Sequence, residues 1–187
     1  MRPAVFVDRD GVVNEPVWDT RTESFESPYR PEDVALVPGA AAGLRRLRDA
    51  GFTLVLVSNQ PAAAKGNATQ AALDAVHERV VDALRIEGVQ LDGVYYCHHH
   101  PDFTGPCECR KPAPGLLRDA AAELDLDVGA SWIVGDADSD VTAAHAAGAR
   151  AVLVEHPQTA HRRRGTVAPE HTAPDLRAAA AWIRSRA

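Results

Sequence analysis

No run of apolar residues in this 187-residue sequence approaches the roughly 20 needed to cross a bilayer, so a membrane-spanning role is not expected. Positive charge is also in short supply: 20 Lys and Arg face 26 Asp and Glu, for a formal net charge of −6. Gripping a nucleic-acid backbone rewards Lys and Arg. The balance therefore argues against a nucleic-acid partner and leaves room for a small phosphorylated molecule held by local positive charge. The start, Met1-Arg2-Pro3-Ala4, has no signal-peptide core and runs straight into a strand-like segment. A cytoplasmic protein is expected and, with no obvious interface patterning, a monomer. Cysteine is scarce too. Cys97, Cys107 and Cys109 all fall in one short segment, and an odd, clustered set is poor material for a disulfide framework.

What the sequence does contain is an alternation of short apolar runs and helical periodicities. Ala4–Val7, Thr53–Val57, Val94–Tyr96, Trp132–Val134 and Ala151–Val154 read as buried strands. Gly39 to Ala50 carries Ala40, Leu44 and Leu47 at helical spacing and stops at Gly51. Thr69 is placed to cap a helix running to about Ile86. Further helices are expected over about 114–124 and 139–147, and from about Pro174 to the end. Residues 14–38, broken by Pro16, Pro28, Pro31 and Pro38, read as a long loop with room for a small hairpin, and 156–172 as a polar stretch. The length suits one domain spanning 1–187. The alternation predicts an α/β fold: a single Rossmann-like, doubly wound parallel sheet without a large cap.

In such sheets ligands bind beyond the carboxyl ends of the strands. Asp8-Arg9-Asp10, Ser58-Asn59-Gln60 and Gly135-Asp136 each follow a predicted strand, so the topology gathers them on one rim. Asp8 and Asp10 can share a site if the chain bends, and Gly11 permits the bend. One carboxylate can attack phosphorus while a second carboxyl protonates the leaving oxygen. Mg²⁺ on oxygen ligands would offset the repulsion between anionic attacker and anionic phosphate, with Asp136 as a further ligand. Taken singly, Ser58-Asn59 reads as a turn and Lys111 as a surface charge; their joint order gives them meaning.

Asp8-Arg9-Asp10-Gly11-Val12-Val13-Asn14 resembles the first motif of the haloacid dehalogenase superfamily of phosphatases. Ser58, Lys111, and Gly135-Asp136 with Asp140 resemble its second, third and fourth motifs, so the likeness covers about residues 4–141. The resemblance implies that Asp8 is the nucleophile and a Mg²⁺ ligand. It implies that Asp10 is the general acid/base, with its backbone carbonyl on the metal, and that Asp136 is a Mg²⁺ ligand. Ser58 and the amide of Asn59 would bind the phosphoryl group, Lys111 would stabilise its charge, and Asp140 would orient Lys111. Asp138 has no clear counterpart.

The cysteine segment reads Cys97-His98-His99-His100-Pro101, then Cys107-Glu108-Cys109-Arg110-Lys111-Pro112. Cys97, Cys107 and Cys109 with one imidazole form a suitable tetrahedral Zn²⁺ set with no open position, hence a structural metal in a loop spanning 97–109. Spacing alone does not choose among His98, His99 and His100. The remaining histidines, His77, His145, His156, His161 and His171, are expected to be ordinary surface or loop residues. The Cys/His pattern is similar to that of the D-glycero-D-manno-heptose 1,7-bisphosphate 7-phosphatases and of the histidinol-phosphate phosphatases. This resemblance favours His99 as the fourth ligand and implies that the loop delivers Arg110 and Lys111 to the phosphate. Lys65 stands where those families carry Arg, and a Lys cannot offer a bidentate fork. The expected activity is release of the 7-phosphate from a heptose bisphosphate. Histidinol-phosphate hydrolysis is the alternative, and a catalytically dead zinc-loop binding module is an alternative of another class. Arg162-Arg163-Arg164 is the only local support for a nucleic-acid phosphatase and reads as a solvated basic run.

Overall fold

A computed structural model of the chain describes residues 1–186. Six strands form one parallel sheet: β1 (Ala4–Val7), β4 (Thr53–Asn59), β5 (Gly93–Cys97), β6 (Trp132–Gly135), β7 (Arg150–Val154) and β8 (His171–Ala173). Their order is β5-β4-β1-β6-β7-β8. The chain moves outward from β1 through β4 to β5, then returns to lay β6, β7 and β8 on the other side. The winding direction reverses between β1 and β6, which makes that junction the place where a doubly wound sheet opens a crevice. Asp8 and Asp136 directly follow these two strands.

Both faces of the sheet are covered, so the strands read as unbroken apolar runs rather than alternating ones. Val5, Val7, Leu54, Leu56, Trp132 and Val134 face one core, shared with helices α1 (Ala40–Asp49), α2 (Gln70–Ile86) and α6 (Leu176–Arg184). Ala4, Phe6, Val55, Val57 and Ile133 face the other, shared with α4 (Gly115–Leu124) and α5 (Asp138–Ala147). Thr69 caps α2 through a hydrogen bond from the Ala72 amide at 3.1 Å, and the expected helix and strand boundaries fall within a few residues of those observed.

Two features go beyond the expected layout. Residues 156–172 contain a 3₁₀ turn over Pro157–Arg162 and the edge strand β8. At three residues, β8 is too short to carry a periodicity. The 14–38 segment holds a small hairpin, β2 (Val17–Asp19) against β3 (Ser24–Glu26). This hairpin borders the crevice through Ser24, Phe25 and Glu26, α3 (Pro101–Thr104) is a short helical turn within the cysteine loop, and no larger cap is inserted among the described residues. Among the described residues no helix is long and apolar enough to cross a membrane.

Candidate active site

The crevice opens into a cavity of about 590 Å³ whose lining includes Asp8, Asp10, Ser58, Asn59, Arg110, Lys111 and Asp136. Every residue expected at the phosphate or Mg²⁺ from sequence thus borders one space. Asp8 is fixed at the sheet end by its own amide, which donates to the Val134 carbonyl at 2.9 Å. Lys111 is 4% exposed. Its Nζ lies 2.8 Å from Asp8 Oδ1 and 2.5 Å from Asp140 Oδ1, and it donates to the Val57 carbonyl at 2.9 Å. Burial alone would lower the lysine pKa, but Asp140 and Asp8 outweigh it and hold the amine firmly charged, well above its ordinary value. Asp140 is itself held at its other oxygen, Oδ2, which accepts from the Ala137 amide at the start of α5. Gly135 lies against the Asp140 side chain so closely that a Cβ there would collide with it.

Asp136 is fully buried, and its Oδ1 has no hydrogen-bond partner among the described residues. Burial, reinforced by the nearby charge of Asp8, pushes its pKa up to about 8. Oxygens of Asp8, Asp136 and Asp140 lie within 4.8 Å of one another. A buried carboxylate with an orphaned oxygen, facing a second carboxylate, is the environment a hard divalent cation neutralises. The donor set therefore fits Mg²⁺. Asp140 spends one oxygen on Lys111 and the other on the Ala137 amide, whereas Asp8 gives Lys111 only Oδ1 and Asp136 keeps Oδ1 unpartnered, so Asp8 and Asp136 are the carboxylates with an oxygen left for the ion. Gly11 closes the turn at φ +87°, and a Cβ there would come within 2.5 Å of Asp136 Oδ2.

Asp10 points into a different network. Its carboxylate accepts from Asn14 Nδ2 at 2.9 Å, Gln60 Nε2 at 2.6 Å and Ser27 Oγ at 2.8 Å, and Arg9 Nε lies 3.2 Å away. Burial would raise its pKa, but the Arg9 charge and these donors outweigh it and bring it down to about 2. In this arrangement Asp10 is a firmly held anion. Arg9, 0% exposed, also donates to Gln60 Oε1 at 2.8 Å and meets His77 Nδ1 at 2.7 Å. His77 is therefore not a surface residue. It is buried, stacks on Tyr96 with ring centroids 3.6 Å apart, and is kept neutral by burial and by Arg9, with its pKa brought down to about 3. His156 is buried as well, with Nε2 2.9 Å from Glu15 Oε2.

The cysteine loop closes around a single point. The Sγ atoms of Cys97, Cys107 and Cys109 lie 3.0–3.7 Å apart, and His99 Nδ1 is 3.3 Å from Cys109 Sγ and 3.8 Å from Cys97 Sγ. A tetrahedral Zn²⁺ with bonds of about 2.3 Å has sulfur–sulfur edges of about 3.8 Å, so the set fits the ion with slight expansion. The neighbouring histidines are engaged elsewhere. His98 Nδ1 lies 3.3 Å from the Gln60 carbonyl, and His100 Nδ1 accepts from the Asp102 amide at the start of α3. Asn59 joins this loop to the sheet. Its side chain donates to the Lys111 carbonyl at 2.9 Å and accepts from the Lys111 amide at 3.0 Å.

A HAD-hydrolase-like family model matches residues 108–179. The chain is 40% identical over 150 residues to the D-glycero-beta-D-manno-heptose-1,7-bisphosphate 7-phosphatase of Yersinia pestis, covering 78% of this chain and 76% of that protein. The protein of the same name from Escherichia coli K12 is 38% identical over 151 residues, covering 78% and 74%. The chain belongs to the HAD phosphatases. Among solved structures, the D,D-heptose 1,7-bisphosphate phosphatase of B. bronchiseptica, complexed with magnesium and phosphate, superposes with a TM-score of 0.83 at 33% identity, covering 99% of both chains.

In this HAD phosphatase several contacts at the site escaped sequence reasoning. Gln60 bridges Asp10, Ser58 and Arg9. Ser27 arrives from the loop after β3, 17 residues from its partner Asp10. Most divergent is Arg162-Arg163-Arg164, of which only Arg164 is exposed as a solvated run would be. Arg162 Nη1 lies 3.5 Å from Asp136 Oδ2, and Arg163 donates to the carbonyls of Asp136, Val154 and His156. Only tertiary placement reveals this, because the partners include Asp136, which is 26 or more residues away in sequence.

Proposed function

We propose that this phosphatase removes the 7-phosphate of D-glycero-β-D-manno-heptose 1,7-bisphosphate through an aspartyl-phosphate on Asp8. The observation that carries the mechanism is the pairing of Asp8 with a buried, charged Lys111 at 2.8 Å beside the orphaned oxygen of Asp136. Heptose bisphosphate is favoured over histidinol phosphate because relatives at about 40% identity with three-quarters coverage bear the heptose name. A cavity of about 590 Å³ is also of a size to hold one sugar bisphosphate. A catalytically dead module would have no need to keep this buried charge set.

Asp8, Asp136 and the backbone carbonyl of Asp10 would hold Mg²⁺. When bound, the ion supplies positive charge that offsets the repulsion between Asp8 and the phosphoryl oxygens. An Asp8 oxygen attacks phosphorus as the bond to the sugar oxygen breaks, and Asp10 delivers a proton to that oxygen. Water then attacks the aspartyl-phosphate while the Asp10 carboxylate takes its proton, releasing inorganic phosphate and restoring Asp8. Ser58 Oγ and the Asn59 amide donate to the phosphoryl group, and Lys111 and Arg110 stabilise its charge. The ionised form that Arg9 and the surrounding donors favour at Asp10 is the one the second step needs. The first step needs Asp10 protonated, so a proton taken from solvent enters with the substrate as the bonds from Gln60 and Ser27 are given up.

Cys97, His99, Cys107 and Cys109 would hold Zn²⁺, and the Asn59 clamp on Lys111 transmits that rigidity to the phosphate site. The test is ³¹P NMR of heptose 1,7-bisphosphate turnover. The proposal expects inorganic phosphate and a product that keeps its 1-phosphate, with Asp8→Asn inactive. Release of the 1-phosphate, or retained turnover in Asp8→Asn, would overturn it.

A further inference from the structure

The segment between β7 and β8 is a surface arm tied to the body of the protein at several points along its length. His156 at its start is pinned by Glu15 at 2.9 Å. Thr159 is 0% exposed. Arg163 turns inward, and its Nη1 and Nη2 reach the carbonyls of Asp136, Val154 and His156 at 2.9–3.4 Å and the Thr159 hydroxyl at 3.3 Å. At the far end, Asp138 Oδ2 accepts from the Arg164 amide, the Thr166 amide and the Thr166 hydroxyl at 2.8–3.1 Å. With the middle arginine used as a staple, the flanking ones are left to face the cavity, and Arg162 and Arg164 both line it.

The two guanidinium groups differ in what they already hold. Arg162 reaches inward to Asp136, at the reacting end. The Arg164 guanidinium makes no hydrogen bond or ion pair among the described residues, although it borders a cavity whose floor is already served by Lys111. Hydrolysis of a single phosphate ester needs no cation there. A substrate that carries a second phosphate does, because that group must be desolvated and fixed while the first one reacts. Arginine suits this role through its fork of donors.

We propose that the β7–β8 arm is a specificity element for the second phosphate: Arg164 grips the phosphate that is not cleaved, and Arg163 is a positioning residue that holds the arm in place. The inference rests on the bisphosphatase reading above and adds the residues that select for it. Lys65 and Arg110 line the same cavity from other segments, and Arg110, with one nitrogen on the His99 carbonyl at 3.1 Å, serves the phosphoryl group that reacts.

The test compares two substrates in wild type and Arg164→Gln: heptose 1,7-bisphosphate and the same heptose carrying only the 7-phosphate. The readout is the ratio of their kcat/KM values. Loss of a charge-assisted contact to the second phosphate should lower that ratio about 10- to 100-fold, chiefly through KM for the bisphosphate. The product, heptose 1-phosphate, should lose inhibitory potency by a similar factor in Arg164→Gln. Circular dichroism and the melting temperature of the variant check that it folds. Arg163→Lys, which keeps the charge but not the staple, should lower the same ratio by a smaller factor. An unchanged ratio in Arg164→Gln, with an unchanged inhibition constant for the product, overturns the proposal. Failure of wild type to prefer the bisphosphate at all would instead strike the bisphosphatase reading, so the two failures are distinct.

Discussion

Replacing Lys111 by Met removes the one cation buried between Asp8 and Asp140, and its consequence for stability can be worked from the geometry. The amine is 2.8 Å from one carboxylate and 2.5 Å from the other, with side-chain exposures of 2% for the lysine, 10% for Asp8 and 2% for Asp140. Breaking a buried pair by deleting one partner leaves an uncompensated charge and costs about 3–5 kcal/mol. A domain of this size shifts its melting temperature by roughly 2–4 °C per kcal/mol, so Lys111→Met should melt about 6–20 °C lower in Mg²⁺-free buffer. The cost is a large part of a typical stability of about 5–15 kcal/mol but leaves the protein folded. Adding Asp140→Asn to Lys111→Met removes the stranded charge and should recover about 1–3 kcal/mol of the loss. Urea denaturation of the two single variants and the double variant supplies the cycle. Strictly additive losses, or a Lys111→Met midpoint equal to wild type, would refute the claim that this lysine is held by charge.

The remaining predictions concern the other parts of the site. Purified protein should carry one Zn²⁺ per chain by atomic emission. Cys109→Ser should lower both zinc content and melting temperature, whereas full zinc loading of that variant would remove Cys109 from the ligand set. Gly11→Ala should weaken Mg²⁺ binding at least tenfold by calorimetry, because its Cβ would lie 2.5 Å from Asp136 Oδ2 and the residue would be forced to φ +87°. An unchanged affinity would show that the turn does not shape the metal pole. His77 has its pKa brought down to about 3 by burial and by Arg9, below the unfolded value of about 6.5. Its contribution to stability is therefore complete above about pH 6.5 and declines as the pH falls from there toward 3. His77→Gln should flatten the acid side of the stability profile; curves parallel to wild type would contradict this.

The parallel sheet, the helices and the positions of Asp8, Ser58, Lys111 and Asp136 were legible because each follows or joins an apolar run of ordinary strand length. Two-face burial makes such runs continuous, and a sheet gathers their ends on one rim. The cysteine loop was legible from spacing, which did not choose among the three histidines; the resemblance favoured His99, whose Nδ1 lies beside the thiols while His98 and His100 turn elsewhere. The β7–β8 arm was not legible. Its 3₁₀ turn and three-residue strand carry no periodicity, and three consecutive arginines look alike until one is seen to bind carbonyls and another a carboxylate. Buried His77 escaped for a related reason: it occupies an inward position of α2, and its partner Arg9 lies 68 residues away in sequence. Asp10 was expected as an acid/base from its place in the motif, yet its pKa of about 2 depends on Gln60 and Ser27, which are remote in sequence.

The most direct test of the central claim is steady-state phosphate release by the Mg²⁺- and Zn²⁺-loaded protein with heptose 1,7-bisphosphate and histidinol phosphate measured side by side. The account predicts a kcat/KM at least a hundredfold higher for the heptose bisphosphate. Equal or greater turnover of histidinol phosphate would contradict it.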